Sequence, residues 1–394
     1  MKLFRTLSTR TLIALAAATL AVAAGGAALA VAARSGGPTP PPKALPDALH
    51  DAVTAPEPEG ITARIKFTNR LFPSGALLGN AGSALMSGAS GRLWLTNDGR
   101  GRLELQSDAG DAQIVWDLSK VTVFDASSNT VYHFALPANA GGAETAKPDS
   151  GTPPTVAEIQ DFLSKLAEHA SISDANPTDV AGQAAYSVSL SPKHDGGLLG
   201  SVELAWDAAH GVPLRVAIYA QGSSSPVLEL TATDISYGPV AANEVDVAPP
   251  AGPKVVDLSG AAKDSHPSGT DQHVTGIDAV TAAADFPVNA PDTLVGLPRK
   301  TASLVGPADS KAALVVYGQG LGAIAVLERK ADTSGTQQQG PLSSLPKISI
   351  DGITAHELAT QLGTVLEWQR GGVAYVLAGS LPPAAAEAAA RALG

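Results

Sequence analysis

Apolar and polar residues alternate along many short stretches of this chain. In "GRLWLTNDGRGRLELQSD", positions 91 to 108, Leu93 and Leu95 precede an Asn-Asp-Gly turn, and Leu103 and Leu105 follow it. A period of two, interrupted by a turn, is typical of antiparallel strands that bury one of their two faces. The apolar face needs a cover, which is either another layer of protein or a ligand.

The same alternation continues on both sides of this stretch and predicts an antiparallel meander. Apolar residues that share one face of a predicted strand form four sets: Ile114, Trp116 and Leu118; Tyr132, Phe134 and Leu136; Val202, Leu204 and Trp206; Leu214, Val216 and Ile218. Asn, Asp, Gly and Ser residues separate the strands, as expected for tight turns. We assign residues 61–258 to one domain.

One helix interrupts this meander. Thr155 and Glu158 have the spacing of a capping box, which predicts a helix start. Val156, Ile159, Phe162, Leu163 and Leu166 follow at helical spacing and form an apolar stripe. Two interpretations stay open: the stripe closes an ordinary α+β core, or it forms a lid over a ligand site.

A second β-rich domain is predicted at residues 274–394, after a polar linker at 259–273. In "VVYGQGLGAIAV" Gly318 and Gly320 follow an apolar strand, as in a dinucleotide fingerprint, but the chain continues as a second strand rather than a helix. We interpret this stretch as a β-hairpin. "GITAHELATQ" fits a strand better than a capped helix, and an alanine-rich helix is predicted from Pro383 to Leu393.

The N-terminus carries a targeting signal. Basic residues precede an apolar run from Leu12 to Ala33, which is long enough to span a bilayer as a helix. We interpret residues 1–34 as a signal-anchor helix or a cleaved signal peptide. Both interpretations place the rest of the chain outside the cytoplasm. Residues 35–60 are predicted to form a proline-rich tether with one short helix around 45–53.

Composition excludes several classes of function. The net charge is −11 and no basic cluster follows the first residues, so the positive face that a nucleic-acid partner requires is lacking. The chain has no cysteine, and its histidines show no metal-ligand spacing. No G-x-S-x-G elbow and no carboxylate pair stands out. We therefore expect no cofactor, no metal, no enzymatic activity and no nucleic-acid partner.

The order of elements resembles the LolA-like family of lipoprotein carriers and the related RseB-type periplasmic regulators. The matching positions in the first domain are Trp116, Asp117, Val121, Phe124, Asp125, Asn129, Val131, Tyr132 and Phe134. The tail resembles the small C-terminal domain of RseB-type proteins, where a hairpin precedes a final helix. Its matching positions are Trp368, Gly372, Tyr375, Leu377 and Gly379.

This resemblance implies a mainly β (α+β) fold. The first domain would be a curved, incompletely closed antiparallel β-barrel with a helical lid, followed by the small second β-rich domain. An apolar cavity would lie between barrel and lid and would receive acyl chains. The candidate lining residues are Ile114, Trp116, Leu118, Phe134, Phe162, Leu166, Trp206 and Ile218.

Three functions remain open. The first is an extracytoplasmic carrier or transfer protein, tethered to the membrane or secreted, that binds lipid or lipoprotein acyl chains. The second is an RseB-type regulator or sensor that acts through a membrane protein partner. The third is a hydrolase or sugar-binding module in a β fold, which the lack of a nominated nucleophile disfavours. We expect the protein in the periplasm or cell envelope, anchored in the cytoplasmic membrane by its N-terminal helix.

Overall fold

The structure, a computed structural model, shows two β-sheets. It describes residues 37–71, 84, 88–136, 153–193, 196–257, 274–306, 311–331 and 345–393. In these residues thirteen strands form one sheet and eight form the other. The predicted signal and the predicted linker at 259–273 lie outside the described residues. None of the helices in the described part of the chain has the length and apolar character needed to cross a bilayer.

The larger sheet is an open sheet whose order has two ends: β13-β6-β5-β4-β3-β2-β1-β12-β11-β10-β9-β7, with β8 also paired to β9. Most neighbours along this path are antiparallel hairpin partners, and β13 pairs with β6 in parallel. The strands are β1 Gly60–Asn69, β2 Ala89–Thr96, β3 Gly101–Gln106, β4 Ala112–Trp116, β5 Lys120–Asp125, β6 Thr130–Ala135, β7 Ala170–Ile172, β8 Asn176–Val180, β9 Gln183–Pro192, β10 Leu199–Asp207, β11 Pro213–Ala220, β12 Pro226–Tyr237 and β13 Lys254–Asp257.

Strand register places the alternating apolar residues on one face of this sheet. Ala63 of β1 pairs with Leu93, which pairs with Leu103, which in turn pairs with Ile114. On the other side of β1 the same face continues through Ile235. Because side chains alternate between faces, this row defines the apolar face.

The opposite face is charged. Arg215 of β11 lies between Glu203 and Glu229 of the neighbouring strands, at N–O distances of 2.6 and 2.7 Å. Burial lowers the pKa of Arg215, but the charge of Glu203 and the hydrogen bond to Glu229 outweigh burial and raise it. The guanidinium of Arg102 lies over the ring of Trp94 at 4.9 Å. These contacts stabilise half-buried charges on this face.

Two helices cover one end of the apolar face. Helix α1 is Leu45–Thr54, and α2 is Val156–Leu166. Helix α2 begins with the predicted capping box: the hydroxyl of Thr155 accepts from the backbone N–H of Glu158, whose carboxylate accepts from the backbone N–H of Thr155. Helices α1 and α2 pack against each other, and the His50 ring contacts the Pro154 carbonyl at 2.9 Å.

The first helix is closely packed against the sheet although it lies in the segment predicted as a tether. Leu45 and Ala48 are buried against Tyr186 and Trp206. The hydroxyl of Tyr186 donates to the carbonyl of Pro41 at 2.7 Å, so the chain is held to β9 before α1 begins.

The second sheet is antiparallel, with strand order β14-β15-β16-β17-β21-β20-β19-β18. Its strands are β14 Thr293–Leu294, β15 Leu297–Val305, β16 Ala312–Tyr317, β17 Ile324–Lys330, β18 Lys347–Ile350, β19 Ile353–Thr360, β20 Gly363–Arg370 and β21 Val373–Gly379. The remaining helices are α3 Ala242–Val245, α4 Ile277–Ala283 and α5 Pro383–Ala392. Helices α4 and α5 pack on this second sheet.

The predicted fold class is confirmed: the protein is mainly β, with few helices in the described residues. The glycine-bearing stretch around Gly320 is a hairpin of β16 and β17, and "GITAHELATQ" contains strand β19. The parallel pairing of β13 departs from the expected all-antiparallel meander. The helix that interrupts the meander ends at Leu166, the last residue of its predicted apolar stripe.

One buried carboxylate closes the turn between β10 and β11. Asp207 is 2% exposed. It accepts from the backbone N–H groups of Ala209 and His210, at 2.7 and 2.8 Å, and from the hydroxyl of Tyr237 at 2.8 Å. Burial and the hydrogen bond to Asp207 raise the pKa of Tyr237, so the phenol remains a donor at neutral pH.

We expect Asp207→Ala to lower the free energy of unfolding by about 2–4 kcal/mol, because it leaves several buried donors without an acceptor. Urea unfolding measures this loss. Asp234→Ala is the control, since that exposed carboxylate lies 4.0 Å from Arg64 and its loss should cost less than about 0.5 kcal/mol. Equal losses for the two variants would contradict the assignment.

Candidate functional site

The middle of the apolar face is not fully covered. Leu230 of β12 is 41% exposed. It pairs with Phe67 of β1 and with Val216 of β11, both half-buried. Leu93 and Leu103 on the same face are also half-buried. The neighbours of Leu230 on this face are apolar side chains of the adjacent strands. The exposed surface therefore suits an apolar ligand.

Four of the predicted lining residues form a group at one side of the sheet. Trp116 pairs with Val121, and Val121 pairs with Phe134, so Trp116 and Phe134 lie on one face with Val121 between them. Ile114 lies two residues before Trp116 on the same face. Leu118, just after β4, and Phe134 are exposed. The structure therefore places Ile114, Trp116 and Phe134 on one face at this side of the sheet, and Leu118 follows in the exposed turn after β4.

Trp206 lies in a different place. It is 2% exposed and packs with Tyr186 and Val188 beneath Leu45 and Ala48 of α1. Tyr186 and Trp206 are register partners, with ring centroids 6.1 Å apart. In this structure protein therefore covers Trp206. Between β4 and β10, the strand that carries Trp206, the sheet has five other strands, so about 29 Å of sheet separates the two groups.

Ile218 contributes to the contact between the two sheets. It is buried with Leu199 and Val227, and with Leu362 from the β19–β20 turn of the second unit. Leu228 and Val202 of the apolar face pack on the same cluster. The side-chain amide of Gln361 donates to the carbonyl of Arg70 at 2.9 Å. The apolar face thus continues directly into the contact with the second unit.

A second hydrogen-bonded contact lies next to this cluster. The backbone N–H of Leu198 donates to the hydroxyl of Ser380 at 3.0 Å. Gly197 has φ +58°, and a Cβ at this position would lie 2.3 Å from the carbonyl oxygen of Ser380. Glycine is required here both by the left-handed backbone and by the close approach of the second unit.

The two predicted residues of α2 are only partly turned toward the sheet. Ile159 is the buried residue of this helix, and Leu163 packs on the cluster that contains Trp206. Phe162 is 49% exposed, and Leu166 is half-buried. Helix α2 therefore contacts the first unit through one edge of its apolar stripe and leaves Phe162 accessible.

Sequence reasoning missed several residues of this surface. Leu228 and Leu230 alternate in "PVLELTATD", so the same period-two pattern that selected Trp206 was a signal for them. Leu362 lacked any such signal, because a leucine in a predicted turn gives no indication of a distant partner. The role of the eight predicted residues as a ligand lining stays a prediction.

Other surfaces offer less for an apolar ligand. An open depression of about 220 Å³ lies on the charged face, and its lining is polar: Thr62, Ala63, Arg64, Arg92, Asp234 and Ser236. Among the described residues, no three His, Asp or Glu side chains form a group that could hold a metal ion.

No protein-family model and no curated protein matches the sequence. Solved structures of MucB and of a lipoprotein-sorting domain are among those similar to this chain. A structure of MucB in complex with MucA(peri) shares 13% identity, with 87% of this chain and 95% of that chain covered and a TM-score of 0.41.

Two further structures have comparable or lower similarity. The MucA/MucB complex of Pseudomonas aeruginosa shares 14% identity, with the same two coverages and a TM-score of 0.41. An outer membrane lipoprotein-sorting protein domain from Vibrio parahaemolyticus shares 10% identity, with 52% of this chain and 96% of that chain covered and a TM-score of 0.21.

We expect Leu362→Asp to separate the two units, because it places a charge in a cluster where the leucine is 6% exposed. The chain has no cysteine, so spin labels at exposed Asn97 and Gln369 can be introduced one per unit without background. The distance distribution between the labels, measured by double electron–electron resonance, should broaden in Leu362→Asp.

The matched control is Leu321→Asp, since Leu321 is an exposed leucine of the second unit in the turn between β16 and β17. It should leave the distribution unchanged. An unchanged distribution in Leu362→Asp would show that this cluster does not hold the units together.

Proposed function

We propose that this protein is an extracytoplasmic binding protein of the RseB type. It takes an acyl chain on the apolar face of the first unit, and the state of that face is communicated through the second unit to a membrane protein partner. The observation that carries this proposal is the continuity between the exposed apolar face at Leu230 and the cluster of Ile218 and Leu362.

The acyl-chain part rests on accessible apolar surface. Leu230, Phe162 and Phe134 are all exposed, although side chains of this size are usually buried. Burying an acyl chain against such surface contributes about 0.8 kcal/mol per methylene group. A chain of ordinary fatty-acid length could therefore bind to an aliphatic surface without polar contacts.

The regulatory part rests on the position of the second unit. Leu228 lies two residues from Leu230 on the same strand and packs on the cluster that holds Leu362. A ligand that covers Leu230 would therefore change the packing next to the contact between the units. A carrier that only transports its cargo has no need of such a contact.

The partner class comes from the resemblance of the tail to RseB-type proteins. Trp368 and Tyr375, two of the positions that carry it, are stacked at 5.0 Å with their planes 6° apart in the core of the second unit. They support the hairpin rather than a surface. The partner would therefore bind elsewhere on this unit, and we propose binding, not catalysis, as the activity.

A second candidate function is acyl-chain transport without a protein partner. The exposed Phe162 on α2 favours it, because a lid helix with one accessible aromatic ring suits uptake and release of a chain. The two functions share the ligand face and differ in the use of the second unit.

Leu230→Asp should reduce acyl-chain binding at least about tenfold, because a charge would be buried by the ligand, while stability changes little at this exposed position. Phe162→Asp should act in the same direction. Native mass spectrometry of residues 35–394, purified without detergent, measures the bound mass, and urea unfolding measures stability.

Val255→Asp is the control. Val255 is an exposed valine on β13, and its register partner Val131 lies on the face of β6 that is opposite to the apolar face. It should leave the bound acyl mass unchanged. If Leu230→Asp and Phe162→Asp lost binding and stability to the same extent, the apolar face would be a packed core.

The regulator and the carrier make different predictions in membranes. A photo-crosslinking residue at exposed Lys300 or Arg329 of the second unit should capture one membrane protein, with a yield that changes in Leu230→Asp. Transfer of a labelled lipopeptide between vesicles, with no protein captured, would favour the carrier and contradict the regulatory proposal.

A further inference from the structure

A glutamate lies inside the core of the second unit. Glu328 of β17 is 0% exposed and lies on the strand face that also carries Ile324 and Val326. Its register partners are Ala313 on β16 and Tyr375 on β21. Carboxylates are rarely buried in this way without a cation, because desolvation of the charge is costly.

The side chain of Glu328 joins three parts of the unit. Its Oε2 accepts from the backbone N–H of Asn289 at 2.8 Å. The side-chain amide of Asn289 donates to the carbonyl of Leu393, the residue after helix α5. Through Asn289 the carboxyl group therefore connects β17, the segment before β14 and the end of the last helix. We call this set of contacts the Glu328 contact.

The other carboxyl oxygen is not compensated. Oε1 of Glu328 is buried without a hydrogen-bond partner in the described part of the chain, and the hydroxyl of Tyr317 is in the same situation. The titratable groups that interact with Glu328 are Tyr317 and Tyr375, whose pKa values are raised by burial first and by the charge of Glu328 second. Neither can neutralise a carboxylate.

Several charged groups on the elements packed around Glu328 have other partners, and Arg329 and Lys300 are exposed. The ion pairs are Lys330–Asp285, Arg299–Asp292, Arg391–Glu387 and Arg391–Asp351, and the Lys311 ammonium donates to the carbonyl of Ala283. Arg370, the last residue of β20, acts on Tyr375. In the residues that the structure describes, no cation pairs with Glu328.

We propose that the Glu328 contact is a pH-sensitive contact: protonated Glu328 keeps Asn289 and helix α5 packed on the second sheet, and ionisation loosens them. The physical reason is the orphaned oxygen. A neutral carboxyl tolerates an apolar core, whereas a carboxylate with one oxygen unpaired is stabilised only when water reaches it, which requires the segment at Asn289 or helix α5 to open.

The direction of the pH dependence follows from the raised pKa of Glu328. Burial raises the pKa of Glu328 to about 7 from the ordinary value of 4.5, although the N–H of Asn289 acts in the opposite sense. Between these two values the folded state binds more protons than the unfolded state. The stability of the second unit should therefore be greatest below pH 4.5, fall as pH rises to about 7, and change little above that.

Helix α5 links the Glu328 contact at its C-terminal end to the surface that joins the two units, which precedes its N-terminal end. Helix α5 follows Ser380 and Leu381 directly, and the hydroxyl of Thr364 donates to the carbonyl of Leu381 at 2.9 Å. Loosening of α5 would therefore reach Ser380, which contacts Leu198. Only this consequence rests on the proposed function; the pH-sensitive contact itself is independent of acyl binding.

Hydrogen exchange on the full chain in lipid nanodiscs tests the proposal. Protection factors of the α5 amides should fall about tenfold or more between pH 5.5 and 8.0, and Glu328→Gln should keep them constant, because the amide stays neutral and retains an acceptor for Asn289. Glu367→Gln is the matched control. Glu367 is a half-buried glutamate on the face of β20 that is opposite to its core residues. It should retain the wild-type dependence.

Constant protection in the wild-type protein, or an unchanged decline in Glu328→Gln, would overturn the proposal. If Glu328→Gln does not fold, carboxyl ¹³C chemical shifts of the wild-type protein decide the question. A glutamate carboxyl that titrates near pH 7 supports the contact, and titration of every glutamate near pH 4.5 contradicts it. Neither measurement reports on acyl-chain binding, so a failure here leaves the proposed function untouched.

Discussion

The first unit depends on the desolvation of one face of an open sheet. Successive side chains of a strand point to opposite faces, so each strand of this sheet carries an apolar row and a polar row. The polar row is satisfied by solvent and by pairs such as Arg215 with Glu203 and Glu229. The apolar row must be covered by something else, and among the described residues the first unit has no second sheet on that side.

Separate segments from different parts of the chain cover this apolar face. Helix α1 buries Trp206, although it lies in a proline-rich segment that precedes the meander. The turn of the second unit buries Ile218 through Leu362. Between these two covered regions Leu230 remains accessible. Each of these segments covers only part of the apolar face, so the region around Leu230 stays accessible. We propose that this region binds the ligand.

The apolar core of the second unit is covered in a different way. Helix α5 and the segment around Asn289 close its core, which leaves Glu328 with no access to solvent. A buried acid makes this core sensitive to protonation, while the first unit is sensitive to what covers its apolar face. Ser380 and Leu362, which lie between the two, belong to the second unit but contact the first.

Local patterns determined the strands, the capped helix and the face on which each apolar residue lies. Alternation and capping depend on neighbours in the chain, so the sequence alone placed Ile114 with Trp116 on one face of their strand and Tyr132 with Phe134 on one face of theirs. Tertiary structure alone decided which of these residues are covered. Trp206 and Phe134 carry the same sequence signal, yet α1 buries the first and leaves the second exposed. Segments that are distant in sequence bury these residues, and the alternation within a strand contains no information about such segments.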